Sequence, residues 1–319
     1  MELKKVLLIG GSGFVGDWIA NRLSERGIRV IIPTRHRDHH KKSTLVPTVF
    51  AVEADIHQPE QLAGLMEGVD AVINLVGILH DNSSDQPYGK RFAKAHVELP
   101  KKIVAAMKQK GIRRLLHMSA LKAAADAPSG YLRSKAAGEA VVLAAADELD
   151  VTVFRPSVIF GPGDRFLTTF AKLLGILPIF PLAGASARFQ PVYVGDVADA
   201  LVSSLKTPDA FGRTYELCGP TTYSLRELVD YAGQLIGKHR LIIELPGPMA
   251  SMQASLLGLL PKPPMSRDNL RSMQIDSVFD GQRNFPGWNP HRLEAIAPGY
   301  LAPIRPKRRL DGYRCRAGR

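Results

Sequence analysis

The segment from Val6 to Gly16, VLLIGGSGFVG, decides the fold. Four aliphatic residues in succession suit a strand covered on both faces, and the glycines that follow are spaced G-x-x-G-x-x-G at Gly10, Gly13 and Gly16. A helical period then runs from Phe14 to about Glu25, closed by Gly27 in the position of a helix C-cap. Each glycine has a reason: a tight turn, close approach of backbone to a pyrophosphate, and close packing of helix on strand. Amide N–H groups and the helix dipole favour an anion at that end, so Ser12, Phe14 and Val15 join the glycines as candidate cofactor-binding residues. Elsewhere in a chain such glycines would be ordinary turns. Between a first strand and a first helix they point to dinucleotide binding.

Outward from this unit, short β-branched runs alternate with helical periods. Strands are expected at Val30 to Ile32, Val49 to Val52, Ala71 to Val76, Leu115 to Met118 and Val151 to Phe154. Helices are expected from about Pro59 to Met66, from about Arg91 to Lys110, and through the stretch Ser129 to Ala140 on to about Glu148. The alternation implies an α/β protein with a Rossmann-type, doubly wound parallel sheet. After about Phe160 glycine and proline become frequent, which suggests a smaller, partly helical C-terminal cap. The expected organisation is a dinucleotide-binding domain over 1–160, a substrate or cap region over 161–304 and a basic tail over 305–319. Returns to the main sheet are expected near Pro191 to Val194 and Thr214 to Leu217. Within the cap, MASMQASLLGLLPKPP from Met249 is apolar and flanked by prolines.

Composition narrows the function classes. The chain has 319 residues, 45% hydrophobic and 23% charged, in the range of soluble globular proteins. Its two cysteines, Cys218 and Cys315, have no metal-ligand spacing, so neither a disulfide framework nor a metal site is expected, and a reducing, cytoplasmic compartment fits. No apolar run is long enough for a membrane span, and the first is too short for a signal peptide. The net charge is +12, of which Arg305 to Arg319 supplies +6 through seven Lys or Arg and one Asp. Without that tail the body is only mildly basic, and no aromatics interleave with the basic residues, so no nucleic acid is expected. The tail reads as a solvated segment, or more sharply as a contact for an anionic membrane face or an acidic partner.

The second strand selects the dinucleotide. An acidic residue at its end would bind the ribose 2′-hydroxyl of NAD, whereas arginine accommodates the 2′-phosphate of NADP. The sequence VIIPTRHRDHHKK places Arg35 and Arg37 there, with Asp38 beside them, so NADP(H) is favoured and NAD(H) stays open. Asp55 and Ile56, past the third strand, are candidates for the adenine edge. Leu75, Val76 and Gly77, past the fourth, would run beneath the cofactor.

In SGYLRSKAAGEA, Tyr131 and Lys135 are one helical turn apart and project side by side. Ser119, at the end of the fifth strand in LLHMSA, precedes the tyrosine by twelve residues. Together with the glycine loop, these residues resemble the short-chain dehydrogenase/reductase superfamily in its extended or atypical branch. SGYLRSKAAGEA, FRPSVIFGPGDRF and FQPVYVGDVADAL are more specific, and resemble the nucleotide-binding accessory subunits of respiratory complex I and their bacterial relatives, a group related to the NAD-dependent epimerase/dehydratases. The likeness covers about Met1 to Gly219.

The resemblance implies Tyr131 as general acid/base, Lys135 as ribose contact and tuner of the tyrosine pKa, and Ser119 as the residue orienting substrate. A phenol titrates near ~10, and a neighbouring ammonium would favour its phenolate. Where many superfamily members carry asparagine, this chain has His96, in AKAHVEL: either a proton relay or a hydrogen-bonded core residue, the latter favoured. Pro156 and Ser157 are expected near the nicotinamide. Arg165 would meet an acidic or phosphorylated substrate or pair with Asp164 to fix a loop, and Asp196 is expected to N-cap a helix. Two functions follow: an NADP(H)-dependent oxidoreductase on an unknown small molecule, or a cofactor-binding subunit of a respiratory complex without turnover. A peripheral membrane contact through Met249 to Leu260 and the tail is a third.

Overall fold

The computed structural model describes residues 3–35, 46–81, 86–257, 265–281 and 283–302. Seven strands form one sheet: β1 (Lys5–Ile9), β2 (Arg29–Thr34), β3 (Val49–Glu53), β4 (Ala71–Asn74), β5 (Arg114–Met118), β6 (Asp150–Pro156) and β7 (Arg213–Leu217). Their order is β7-β6-β5-β4-β1-β2-β3, and every neighbouring pair is parallel. The chain steps from β1 outward to β3, then crosses back to place β4 on the other side of β1. Loops that leave β1 and β4 therefore diverge, opening a crevice at the C-terminal edge of the sheet.

Side chains alternate between the two faces of each strand, and both faces are covered by helices. Val6, Leu8, Leu116 and Phe154 pack with Ile19 and Leu23 of α1 (Phe14–Glu25). Leu7, Ile9, Val72 and Leu115 face the other way, toward Leu62 of α2 (Pro59–Leu65), Ile103 of α3 (Leu99–Lys110) and Val142 of α4 (Gly130–Leu143). The doubly wound sheet read from the aliphatic runs is present. Beyond β6, α5 (Leu167–Ile176) and α7 (Leu225–Leu235) build a further apolar cluster around Leu174, Leu182, Val229 and Ile242. Between them, α6 (Val194–Ser204) rejoins the main core through Val197 and Leu201.

Three element ends differ from the sequence reading. The helix expected from Arg91 opens as one α turn, Lys90–Phe92, and runs as a π-helix over Ala93–Glu98 before α3 begins. Pro100 explains part of this, because it has no N–H to give the His96 carbonyl four residues earlier. That oxygen instead lies against α4, where a Cβ on Gly138 would sit 1.8 Å from it. Helix α4 ends at Leu143 rather than Glu148, since its last turn tightens into bonds from Ala145 N–H to Val142 O and Ala146 N–H to Leu143 O. Strand β4 ends at Asn74, whose side chain takes over the Val76 amide.

Candidate functional site

The glycine loop sits where β1 feeds α1, directly against the loop after β4. Gly10 has φ +81°, and a Cβ there would meet the Val76 nitrogen at 3.1 Å. A Cβ on Gly16 would fall 2.3 Å from the Gly11 oxygen, so only glycine lets α1 start this close to the strand. Gly13 is the N-cap of α1 and carries no side chain to satisfy the first turn. The amides of Phe14, Val15 and Gly16 lack partners within their own helix, as at any helix start. From the opposite side a Cβ on Gly163 would touch the Phe14 ring at 3.5 Å, so the loop after β6 closes over the same turn.

At the expected adenosine end, Arg35 is exposed just past β2. Asp55 accepts the His57 amide at 2.9 Å. That bond, with smaller help from the nearby charges of Lys94 and Arg35, holds the Asp55 carboxyl below its ordinary range. Ile56 packs against the core beneath. Arg37 and Asp38 lie outside the described residues.

Lys135 is buried against the sheet edge. Its ammonium donates to the carbonyls of Met118 (3.0 Å) and Val76 (3.2 Å), and a Cβ on Gly77 would come within 3.2 Å of its nitrogen. Burial pulls its pKa down to about 8, with Glu139 acting the other way. Tyr131 is packed among Ala120, Ala127, Leu132, Phe92 and His96. Burial pushes its phenol up to about 12, opposite in direction to the tuning that the resemblance implies. The lysine charge is held by two carbonyls, and the tyrosine is a neutral hydrogen-bonding group in this state.

His96 resolves as a core strut. Its Nε2 accepts the Ile78 amide at 3.0 Å, so Nδ1 carries the proton and donates to Ser134 Oγ at 2.8 Å. Ser134 in turn donates to the Tyr131 carbonyl at 2.7 Å. Burial, then the nearby Lys135 and His117, lowers the His96 pKa to about 2, and a ring that stays neutral with both nitrogens engaged relays no proton.

Several groups near the site were not singled out in the sequence. Asn74 Oδ1 accepts the Val76 amide at 3.2 Å, so its Nδ2 is the donor facing His117 Nδ1 at 3.1 Å. His117 Nε2 then bears the proton, and it has no hydrogen-bond partner among the described residues. Burial, then Lys135, lowers its pKa to about 3. Ser119 Oγ, two residues along the same strand direction, is likewise buried without a partner. One turn beyond Lys135, Glu139 takes a two-pronged ion pair from Arg155, at 2.7 Å to Nη2 and 2.9 Å to Nε. A polar residue inside the aliphatic runs AVINLVG and RLLHMS was the available signal for Asn74 and His117.

The C-terminal half also reaches the site. Asp268, on α9 (Arg267–Ser272), accepts the amides of Gly130 and Tyr131 at 2.8 and 2.9 Å, capping the start of α4 across the chain. Pro156 ends β6, and its carbonyl receives the Leu121 amide. Ser157 Oγ donates to the Ser277 carbonyl at 3.2 Å. Two expectations are corrected here. Asp196 lies inside the first turn of α6 and not at its N-cap, which is Tyr193; its carboxylate instead binds the His291 amide and Nδ1 at 2.7 and 2.6 Å. Asp164 does fix its loop, but through the amides of Gly161 and Thr168 and the Tyr300 hydroxyl, while Arg165 is exposed.

A nicotinamide dinucleotide fits these residues on two counts: the glycine cradle that any Cβ would fill, and the buried, unpartnered Ser119 Oγ and His117 Nε2 beside Lys135. The sequence profile of the NAD dependent epimerase/dehydratase family matches residues 6–218. The chain belongs to that family. This family member is 33% identical to NADH dehydrogenase (ubiquinone) 1 alpha subcomplex subunit 9 of Mus musculus, over 85% of this chain and 72% of the mouse protein. It is 30% identical to the Arabidopsis thaliana protein of the same name, over 93% of this chain and 77% of the relative. Among solved structures it is similar to epimerase Mth375 of Methanothermobacter thermautotrophicus, with a TM-score of 0.68 and 20% identity over 77% of this chain and 80% of that one. At that identity the likeness concerns the fold.

Proposed function

We propose that this epimerase/dehydratase-family protein binds a nicotinamide dinucleotide along the C-terminal edge of its sheet, NADP(H) in preference to NAD(H). It keeps that nucleotide as a standing ligand while serving as an accessory subunit of a respiratory-chain complex at the inner face of a membrane. The observation that carries the reading is Lys135: its buried ammonium is held by the Met118 and Val76 carbonyls beside Gly77, in the same loop that lies against Gly10. The likeness to subunits named for NADH dehydrogenase supports the accessory role.

The residues have distinct work in this reading. Amides of the Gly10 to Gly16 loop and the start of α1 hold the pyrophosphate, and Arg35 with Arg37 meets the 2′-phosphate. Lys135 donates to a ribose hydroxyl once its carbonyl partners share it. Bound nicotinamide would supply hydride transfer. A second reading, turnover on a small carbonyl or sugar substrate, is favoured by Ser119, whose buried hydroxyl awaits an acceptor or donor. In that case Tyr131 gives or takes the substrate proton, Ser119 orients the substrate oxygen, and Pro156 and Ser157 border the ring.

The test is the nucleotide retained by purified protein. A tightly held dinucleotide bearing a 2′-phosphate is expected, and Arg35→Glu should weaken NADPH roughly tenfold while sparing NADH. Binding of neither coenzyme, or tighter NADH than NADPH, overturns the proposal. Hydride exchange with a carbonyl, quinone or sugar-nucleotide panel, lost in Tyr131→Phe at unchanged cofactor affinity, would establish the second reading in place of the first.

A further inference from the structure

The outward face of a small sheet distant in sequence from the glycine loop is apolar. Strands Ile179–Leu182 and Leu241–Glu244 pair in parallel, with Leu241 opposite Ile179 and Ile243 opposite Pro181. Alternation buries Phe180, Leu182 and Ile242 and turns Ile179, Leu241 and Ile243 outward, with 49%, 62% and 44% of each exposed. Sheets that meet water on one face ordinarily place polar residues there. Helix α5 leads into the first of these strands and carries Ile176, 78% exposed. Helix α8 (Gly247–Leu257) is tied to the same strand by Gln253 Nε2 donating to the Pro181 carbonyl at 3.1 Å, and exposes Met249 and Met252. Most of the exposed large apolar side chains among the described residues gather in this one region.

The rim of the face is basic. Lys172 is exposed one turn before Ile176 on α5. Lys238 and His239 are exposed and lead directly into Leu241, and Arg240 Nε donates to the Leu174 carbonyl, which holds this rim against the end of α5. Glu244 is the acid at the far end of the strand. Aliphatic area bordered by cations suits the headgroup boundary of an anionic leaflet, where apolar side chains enter and the cations meet lipid phosphates.

We infer that this face, Ile176, Ile179, Leu241 and Ile243 with Met249 and Met252, is a docking surface for an anionic bilayer, the aliphatic side chains entering the headgroup boundary and the Lys172 and Lys238 rim meeting lipid phosphates. It deepens the membrane-side placement proposed above and does not depend on cofactor binding.

The experiment is flotation of the full chain with vesicles of phosphatidylcholine alone or of equal parts phosphatidylcholine and phosphatidylglycerol. Wild type should float with the anionic vesicles. Ile176→Ser/Leu241→Thr/Ile243→Thr should lower the partition roughly tenfold or more at unchanged melting temperature, and Lys172→Gln/Lys238→Gln should erase the preference for anionic lipid. Deletion of Pro306 to Arg319 should leave the part of the binding that the triple variant removes. A triple variant that floats like wild type overturns the inference. Loss of all flotation on tail deletion alone also overturns it, while leaving the membrane placement intact. Wild type that stays off vesicles and forms a dimer, made monomeric by the triple variant, would assign the face to self-association instead.

Discussion

Lys135→Met separates folding from binding. Lys135 is 4% exposed, and burial brings its pKa from the ordinary 10.5 down to about 8. The unfolded chain holds that proton to roughly 10.4, so from pH ~8 upward the unfolded state binds more protons and stability rises with pH. Below that range the cost of the buried charge is complete, about 3 kcal/mol. Methionine is similar in length and carries no charge. It removes that cost but leaves the carbonyls of Val76 and Met118 without this donor, at about 1 kcal/mol each. The cofactor-free variant should therefore be more stable than wild type by about 1 kcal/mol at neutral pH and less stable by about 1 kcal/mol near pH 10, where folded wild-type Lys135 is neutral and most of the cost is gone. Urea denaturation of stripped protein across this range reads the crossing directly, and NADPH titration of the same samples should show roughly tenfold weaker binding. A variant less stable than wild type by the same margin at every pH would refute the claim that Lys135 is a costly ammonium retained for its ligand.

Other outcomes follow from the same geometry. Gly16→Ala drives a methyl group into the Gly11 carbonyl, so it should destabilise by about 1–3 kcal/mol in denaturant and abolish dinucleotide binding; wild-type stability would remove the close-packing argument. Asp268→Ala frees the Gly130 and Tyr131 amides and should cost about 1 kcal/mol, an effect that Asp268→Asn restores only in part. His96 and His117 are neutral when folded, with pKa values of about 2 and about 3, against about 6.5 unfolded. As pH falls below about 6.5 the unfolded state takes up protons first, so each histidine should lower stability by roughly 1.4 kcal/mol per pH unit. His117→Gln should reduce the acid slope by about one proton in urea titrations at pH 4 to 6, and an unchanged slope would contradict its buried, neutral state.

Local chemistry was enough to fix the parallel sheet and the tight glycine turn between its first strand and first helix. VLLIG and AVINLVG are too continuously aliphatic for a strand with a wet face, and a glycine triad at a strand-to-helix turn has few other uses, so β1, β4 and the loop at Gly10 to Gly16 were legible from neighbouring residues alone. Tyr131 and Lys135 share a helix and were paired by its period. Corrections arose where a side chain answers to a partner far away in sequence. Asp196 looked like a cap because it opens a helical run, yet its carboxylate binds His291, a residue 95 positions later. Helix α4 begins under Asp268, and nothing near Gly130 in sequence announces that carboxylate.

Tertiary structure also decided the electrostatics. Sequence placed an ammonium one turn from a phenol and implied that the first would acidify the second. In the folded chain the Lys135 charge is taken up by the Met118 and Val76 carbonyls, and Tyr131 is enclosed by Phe92, His96 and small alanines. Burial alone then sets the phenol, and it moves the pKa the other way. Periodicity and spacing determine which residues share a strand or a helical face. Desolvation depends on everything that surrounds an atom, and most of what surrounds these atoms comes from other elements of the chain.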